Sequence, residues 1–401
     1  MAPARRFPNC ADLNSVESGS FWPCRAGLRT DLRVGALVML GAVDPELPAL
    51  TRVLVRATNW LGDVVMSLPA LRAIREALPG AYIAVVARPG LVDFYAREDA
   101  VDRVISCPKP KGIGERRAFA ASLRPERFDG AILLQNAFDG ALMAWMARIP
   151  VRIGYKRDGR SLLLTHGVAV PETGEIPRHE RFYYLELLRR AGLMEHWPDV
   201  EAIRLGGIDK AGEAGGRRLA ALGMDGPVIG ISPGAAYGNA KRWLPERFAE
   251  AGGEIAATLE ASVLIFGSGP ERELCEAVAE PLRASGAAVR NLAGETTLGE
   301  FIDLAAACRV FLTNDSGAMH VASALGVPTV AVFGATDDAG TGPTGALARV
   351  VREHAECAPC MLRDCPIDHR CMTRVSAARV RETALELLEE PAPAWTHEPR
   401  S

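Results

Sequence analysis

From Thr51 onward the apolar residues fall into short unbroken runs, with looser stretches of helical period between them. Arg52–Arg56 (RVLVR), Tyr82–Ala87 (YIAVVA), Val101–Ile105 and Phe128–Leu134 (FDGAILL) read as strands. A turn, Ala57–Gly62, leads from the first strand into a helix over Asp63–Leu78, whose regular part Pro69 should delay. Glu180–Ala191 is a second helix, closed by Gly192. After a mixed, glycine-containing stretch at 196–212 the same texture resumes. Val228–Ser232 (VIGIS), Ser262–Phe266 (SVLIF), Val310–Thr313 and Thr329–Phe333 (TVAVF) are strands; Phe248–Leu259, Phe301–Ala307 and Ala318–Leu325 are helices, the last capped by Gly326.

Alternating strands and helices predict an α/β fold with parallel sheets. Two successive series predict two Rossmann-like domains facing a cleft, with ligands at the carboxyl ends of the strands. The expected boundaries are 51–205 for the first domain, 213–376 for the second, and 377–401 for a C-terminal helix and tail. Residues 1–50 lack periodicity and are rich in Pro, Gly, Ser and Arg, so they are expected to form a disordered leader, with Met39 an alternative start.

Length changes this picture little: 401 residues are too many for one ordinary core. The balance of 46 basic against 49 acidic residues, a formal charge of -3, argues against broad nucleic-acid binding. Val34–Val43 is the best apolar run and falls short of the roughly 18 residues that span a bilayer. A cytoplasmic protein without a transmembrane segment is expected.

Three strand-to-helix turns carry candidate chemistry. In Asn59-Trp60-Leu61-Gly62-Asp63 the aspartate sits where a helix start favours its ionised form. It reads either as a plain helix-start carboxylate or as a base for a sugar hydroxyl. The stretch Ser232 to Trp243 includes Gly234, Gly238, Lys241 and Arg242. Its backbone amides and cations suit a pyrophosphate, as they also suit a solvated basic loop. In Thr313 to His320, Asp315, Ser316 and Gly317 open a helix and His320 lies one turn in, either at the mouth or packed in the core. Ser316 lacks the G-x-S-x-G elbow of a nucleophile. The first turn also lacks the G-x-G-x-x-G of a dinucleotide-dependent dehydrogenase.

Cys357, Cys360, Cys365 and Cys371 are spaced C-x2-C-x4-C-x5-C, with His369 between the last two. That pattern admits structural zinc or reduced thiols in a loop, and the expectation is metal-free thiols.

Together, NWLGDVVMSLPAL (59–71), LLQNAFDGALMAWMARIPVRIGY (133–155), ISPGAAYGNAKRWLPERFAE (231–250) and TNDSGAMHVASALGVPTVAVFGATD (313–337) resemble the lipopolysaccharide heptosyltransferase family, glycosyltransferase family nine. The tail CAPCMLRDCPIDHRCM (357–372) resembles the branch that adds the second core heptose. The resemblance runs from about Arg52 to about Val375 and implies a GT-B fold. It implies inverting transfer of L-glycero-D-manno-heptose from ADP-heptose to the first heptose of the inner core, with no metal required. The partners implied are ADP-heptose, a co-substrate, and a lipid A–Kdo–heptose acceptor at the inner membrane surface. By the same resemblance Asp63 is the general base, and Lys241 contacts the diphosphate. Ser232, Gly234, Asp315, Ser316, Gly317 and His320 line the donor site, and Asn59 meets the acceptor. The run of basic residues Arg148, Arg152, Lys156, Arg157 and Arg160 suits the charge of an anionic acceptor, as it also suits a solvated basic loop. Other readings within reach are a family-nine transferase for the first or third heptose or another sugar, and a nucleotide-sugar-binding protein without catalysis.

Overall fold

The structure is a computed structural model describing residues 47–390, so the leader expectation lies outside the described residues except at its end. There Leu50 is buried, its side chain lying against Gly130.

Six strands form the first sheet: β1 (Arg52–Arg56), β2 (Tyr82–Ala87), β3 (Arg103–Ser106), β4 (Gly130–Leu133), β5 (Val151–Tyr155) and β6 (His166–Val168). Six form the second: β7 (Val228–Ser232), β8 (Ser262–Ile265), β9 (Val289–Asn291), β10 (Val310–Asn314), β11 (Thr329–Val332) and β12 (Ala348–Val351). Their orders are β3-β2-β1-β4-β5-β6 and β12-β11-β10-β7-β8-β9, all parallel, so the two sheets share one doubly wound topology. The central strands are buried on both faces, which is why they are near-continuous apolar runs.

The first domain's helices are α1 (Leu61–Met66), α2 (Leu68–Ala77), α3 (Val92–Tyr95), α4 (Ile113–Leu123), α5 (Phe138–Met146) and α6 (Glu180–Arg190). The single helix expected over Asp63–Leu78 is two, broken at Ser67, and Pro69 falls in the first turn of α2, where a missing N–H costs nothing. The second domain carries α7 (Ile208–Ala221), α8 (Pro245–Leu259), α9 (Arg272–Ala284), α10 (Leu298–Ala306), α11 (Gly317–Ala324), α12 (Asp338–Thr341), α13 (Arg370–Thr373) and α14 (Ala377–Glu389). Helix α7 begins inside the stretch expected to be linker. A Cβ at Gly215 would lie 2.1 Å from the Asp303 carbonyl oxygen, so α7 needs glycine there to pack on α10.

Helices α4 and α5 cover one face of the first sheet; α8, α9 and α14 cover one face of the second. The remaining faces share one continuous apolar core that crosses between the domains, including Phe94, Ile203, Leu219, Phe301 and Phe311. Arg97 bridges Asp303 at 2.8 Å and Arg178 bridges Asp337 at 2.6 Å around that junction.

Candidate active site

The carboxyl ends of β1, β7 and β10 meet where the domains face each other. Helix α1 packs on α11: a Cβ at Gly62 would lie 3.0 Å from His320 Cδ2, and one at Gly317 only 2.7 Å from Leu61 Cβ. Asp63 lies in the first turn of α1, two residues inside a helix that starts at Leu61, and is partly buried. Burial pushes its carboxyl up to about 6, opposed by the Lys241 ammonium across the cleft.

On the second domain, Lys241 Nζ forms an ion pair of 2.7 Å with Asp315 Oδ2 and lies 5.0 Å from the Tyr237 ring centroid. The Thr336 hydroxyl donates to the same Asp315 oxygen at 2.5 Å. Asp315 therefore holds the lysine in place. Buried Asn314 joins the turns after β7 and β10: its Oδ1 accepts from Trp243 N at 2.9 Å and its Nδ2 donates to Pro233 O at 2.7 Å. Ser232 is the buried last residue of β7. Gly234 lies against the Glu271 carboxylate, which a Cβ would meet at 2.2 Å. Ser316 caps α11 by position, its hydroxyl 3.1 Å from the Thr313 hydroxyl. His320 is buried, and burial lowers it to about 4, so its ring is neutral near pH 7.

Acceptor-side expectations fare differently. Asn59 is at the cleft, but its Oδ1 accepts from Arg56 Nη2 at 3.2 Å and from Arg88 Nε at 3.1 Å, so it organises two guanidiniums. Arg152 does not join the cluster: its guanidinium donates to the carbonyls of Ile149 and Leu163, both at 2.6 Å, near the amino end of β5. Lys156, exposed just beyond β5, lays its stem across Gly167.

Sequence reading missed Glu180, the first residue of α6, as a site residue. Burial, reinforced by the Asp63 charge, pushes its carboxyl up to about 8, with Arg157 opposing. Its neighbour His179 accepts from Arg181 N through Nδ1 at 3.2 Å and reaches the Gly342 carbonyl through Nε2 at 3.0 Å. A lone glutamate opening an amphipathic helix gives no signal of this in sequence.

The cysteine segment wraps the loop that carries Lys241. Ala240 N donates to Arg363 O at 2.9 Å, Arg363 Nε to Tyr237 O at 2.9 Å, and Cys365 N to Asn239 Oδ1 at 3.1 Å. A Cβ at Gly238 would stand 2.2 Å from Arg363 O, which explains the glycine. The Cys371 thiol is buried and pushed up to about 11 by burial and by the neighbouring Cys357, Cys360 and Cys365. Among the described residues no group of three or more His, Cys, Asp or Glu side chains is arranged to hold a metal ion.

Two doubly wound domains, with Asp63 on one and the Lys241–Asp315 pair on the other, have the architecture of a GT-B glycosyltransferase. The family profile described as Glycosyltransferase family 9 (heptosyltransferase) matches residues 116–370. Lipopolysaccharide heptosyltransferase 2 of Escherichia coli (strain K12) is 33% identical over 314 residues, 75% of this chain and 88% of that protein. Its counterpart from Salmonella typhimurium is 34% identical over 308 residues, with the same shares covered. The structure of E. coli ADP-heptose LPS heptosyltransferase II superposes with a TM-score of 0.70 at 30% identity, covering 84% of this chain and 98% of that one. The chain belongs to glycosyltransferase family 9, the heptosyltransferases.

Proposed function

We propose that this chain transfers heptose from ADP-heptose to the first heptose of a lipid-linked lipopolysaccharide inner core, with inversion and without a metal. The observation that carries the mechanism is the packing of α1, which bears Asp63, against α11, whose start adjoins the Lys241–Asp315 pair. The acceptor hydroxyl gives its proton to Asp63 as its oxygen bonds to the anomeric carbon; the bond from that carbon to the diphosphate oxygen breaks and ADP leaves. A base that titrates near 6 is ionised at neutral pH and still basic enough for this task. Negative charge grows on the departing diphosphate. Lys241, held by Asp315, and the amides at the start of α11 stabilise it. Asp315 acts on the lysine, while Ser232, Gly234, Ser316, Gly317 and His320 form the surrounding wall. Glu180, protonated below about 8, keeps a second negative charge away from the donor. Arg88, held by Asn59, replaces Arg152 as the cation for an anionic acceptor; Arg56 is buried with its guanidinium on the Ala57 and Val86 carbonyls, and Lys156 stays at the rim.

The test is release of ADP from ADP-heptose, with acceptors carrying zero, one or two heptoses, before and after treatment with a chelator. Turnover only on the one-heptose acceptor, unaffected by chelation, is expected. Asp63→Ala should cut turnover by roughly 10²–10⁴ and leave ADP binding nearly intact. Lys241→Ala should weaken ADP binding, a charge-assisted contact being worth about 1.5–3 kcal/mol. Wild-type turnover by Asp63→Ala would remove the base assignment, and unchanged ADP affinity in Lys241→Ala would move the diphosphate elsewhere.

A further inference from the structure

The layer of α4 and α5 over the first sheet presents an unusual outer surface. Helix α5 buries Gly140, Ala141, Met143 and Ala144 and turns Phe138, Leu142 and Trp145 outward, at i, i+4 and i+7 on one stripe. Phe138 is 45% exposed and Trp145 52%. The 3-10 turn Ser161–Leu163 packs on α5, and its Leu162 is 96% exposed. Ile113, opening α4, is 59% exposed, and the Arg116–Asp139 ion pair joins the first turns of α4 and α5. Half of the eight large hydrophobics exposed among the described residues thus belong to this one layer. Monomeric proteins seldom leave such clusters uncovered without use.

Charge says what covers it. On and beside α4 and α5 the exposed side chains Lys111, Arg117, Arg124 and Arg148 stand against Glu115, with Arg116 and Asp139 paired, within a protein of formal charge -3. A second exposed apolar group, Met361, Leu362 and Ile367, lies in a segment, 356–370, with two basic and three acidic residues. Among the described residues only the α4–α5 layer combines apolar ridges with a positive field, the combination that favours an anionic lipid surface. No helix among the described residues is long and apolar enough to cross a membrane.

We propose that the outer face of α4, α5 and the Ser161–Leu163 turn docks on an anionic phospholipid bilayer, with Trp145, Leu162 and Ile113 entering the interface and Lys111 and Arg117 meeting headgroups. The inference rests on the acceptor being lipid-linked, as proposed above. The first domain would then lie on the membrane with its cleft open to a lipid-anchored sugar.

The full chain should be sedimented with vesicles of phosphatidylcholine alone and with vesicles in which about a third is phosphatidylglycerol. Binding to the anionic vesicles alone is expected, weakening as salt shortens the screening length. Lys111→Gln and Arg117→Gln should each weaken it about fivefold. Trp145→Ser with Leu162→Ser should weaken it at least tenfold while preserving turnover on an acceptor stripped of its acyl chains. Equal binding to both vesicle types, or full binding by the double variant, would overturn the proposal. So would light scattering that showed a dimer, lost in the double variant, with no vesicle binding by the parent: the face would then belong to a second copy. Turnover of the parent on the stripped acceptor is read separately. Its absence would sink the transferase reading, whereas the vesicle arm alone decides the docking face.

Discussion

Two carboxyls, Asp63 and Glu180, set the pH behaviour. Burial raises both above their ordinary values, so the folded state holds their protons more tightly than the unfolded chain does. They stabilise the fold only while protonated. That contribution is lost as pH rises through about 6 for Asp63 and about 8 for Glu180. Catalysis runs the other way for Asp63, which as the proposed base must be ionised to accept a proton. Activity is therefore expected to rise through pH 6, level off, and fall near 8 as Glu180 ionises and repels the donor. Asp63→Asn should lose turnover yet melt a few degrees higher at neutral pH, a trade of stability against activity. Glu180→Gln should retain activity near pH 7 and abolish the alkaline fall. A pH–rate profile and melting curves check both, and an alkaline limb unmoved in Glu180→Gln would clear that residue of the role.

At the scale of elements, the loop from Pro233 to Trp243, proposed to meet the donor, is held by Asn314 at its two ends and by the cysteine segment at Tyr237, Asn239 and Ala240. Gly238→Ala forces a methyl against Arg363 O and should push the loop off its clamp. The expected outcome is at least tenfold weaker ADP binding by calorimetric titration, with acceptor KM little changed; equal weakening of both would mean a global defect. Elements of this kind divide into those readable from the chain and those not. The central strands β1, β2, β7 and β11 are bounded apolar runs and match their expected starts. The edge strands β6 (HGV), β9 (VRN) and β12 (ARVV) were not seen, because one side is wet and the apolar run disappears. Helix α7 was hidden for another reason: its glycines resemble linker composition while serving close packing on α10. The clamp itself, formed between residues more than 120 positions apart, has no local signature.

The whole molecule is two copies of one topology joined along an apolar seam. The duplication was legible because each copy repeats the same alternation of runs and turns. The joint was not, since the residues that form it, from Phe94 through Leu219 to Phe301, look like ordinary core positions in their own domains. The same holds for the site. Asp63 and Lys241 stood out at strand ends, whereas Glu180 and the Asn59–Arg88 pair acquire meaning only once β1, β2 and α6 are brought together in the first domain. Arg152 misled because a run of basic residues says nothing about which guanidiniums are already taken by carbonyls.

The contact of α1 with α11 bears on the sequence in which reactants arrive. Helix α1 lies against the start of α11, the helix proposed to face the donor diphosphate, so on that proposal a sugar nucleotide is expected to enter before the two helices close together. Compulsory-order kinetics follow, donor first and ADP last. In an isotope-trapping experiment, labelled ADP-heptose pre-bound to enzyme and chased with unlabelled donor plus acceptor should be converted to product rather than diluted. Gly317→Ala places a methyl 2.7 Å from Leu61 Cβ and keeps the entrance ajar. That variant should lose the trapped fraction and accept its substrates in either order; trapping that survived the substitution would show that some other element imposes the queue.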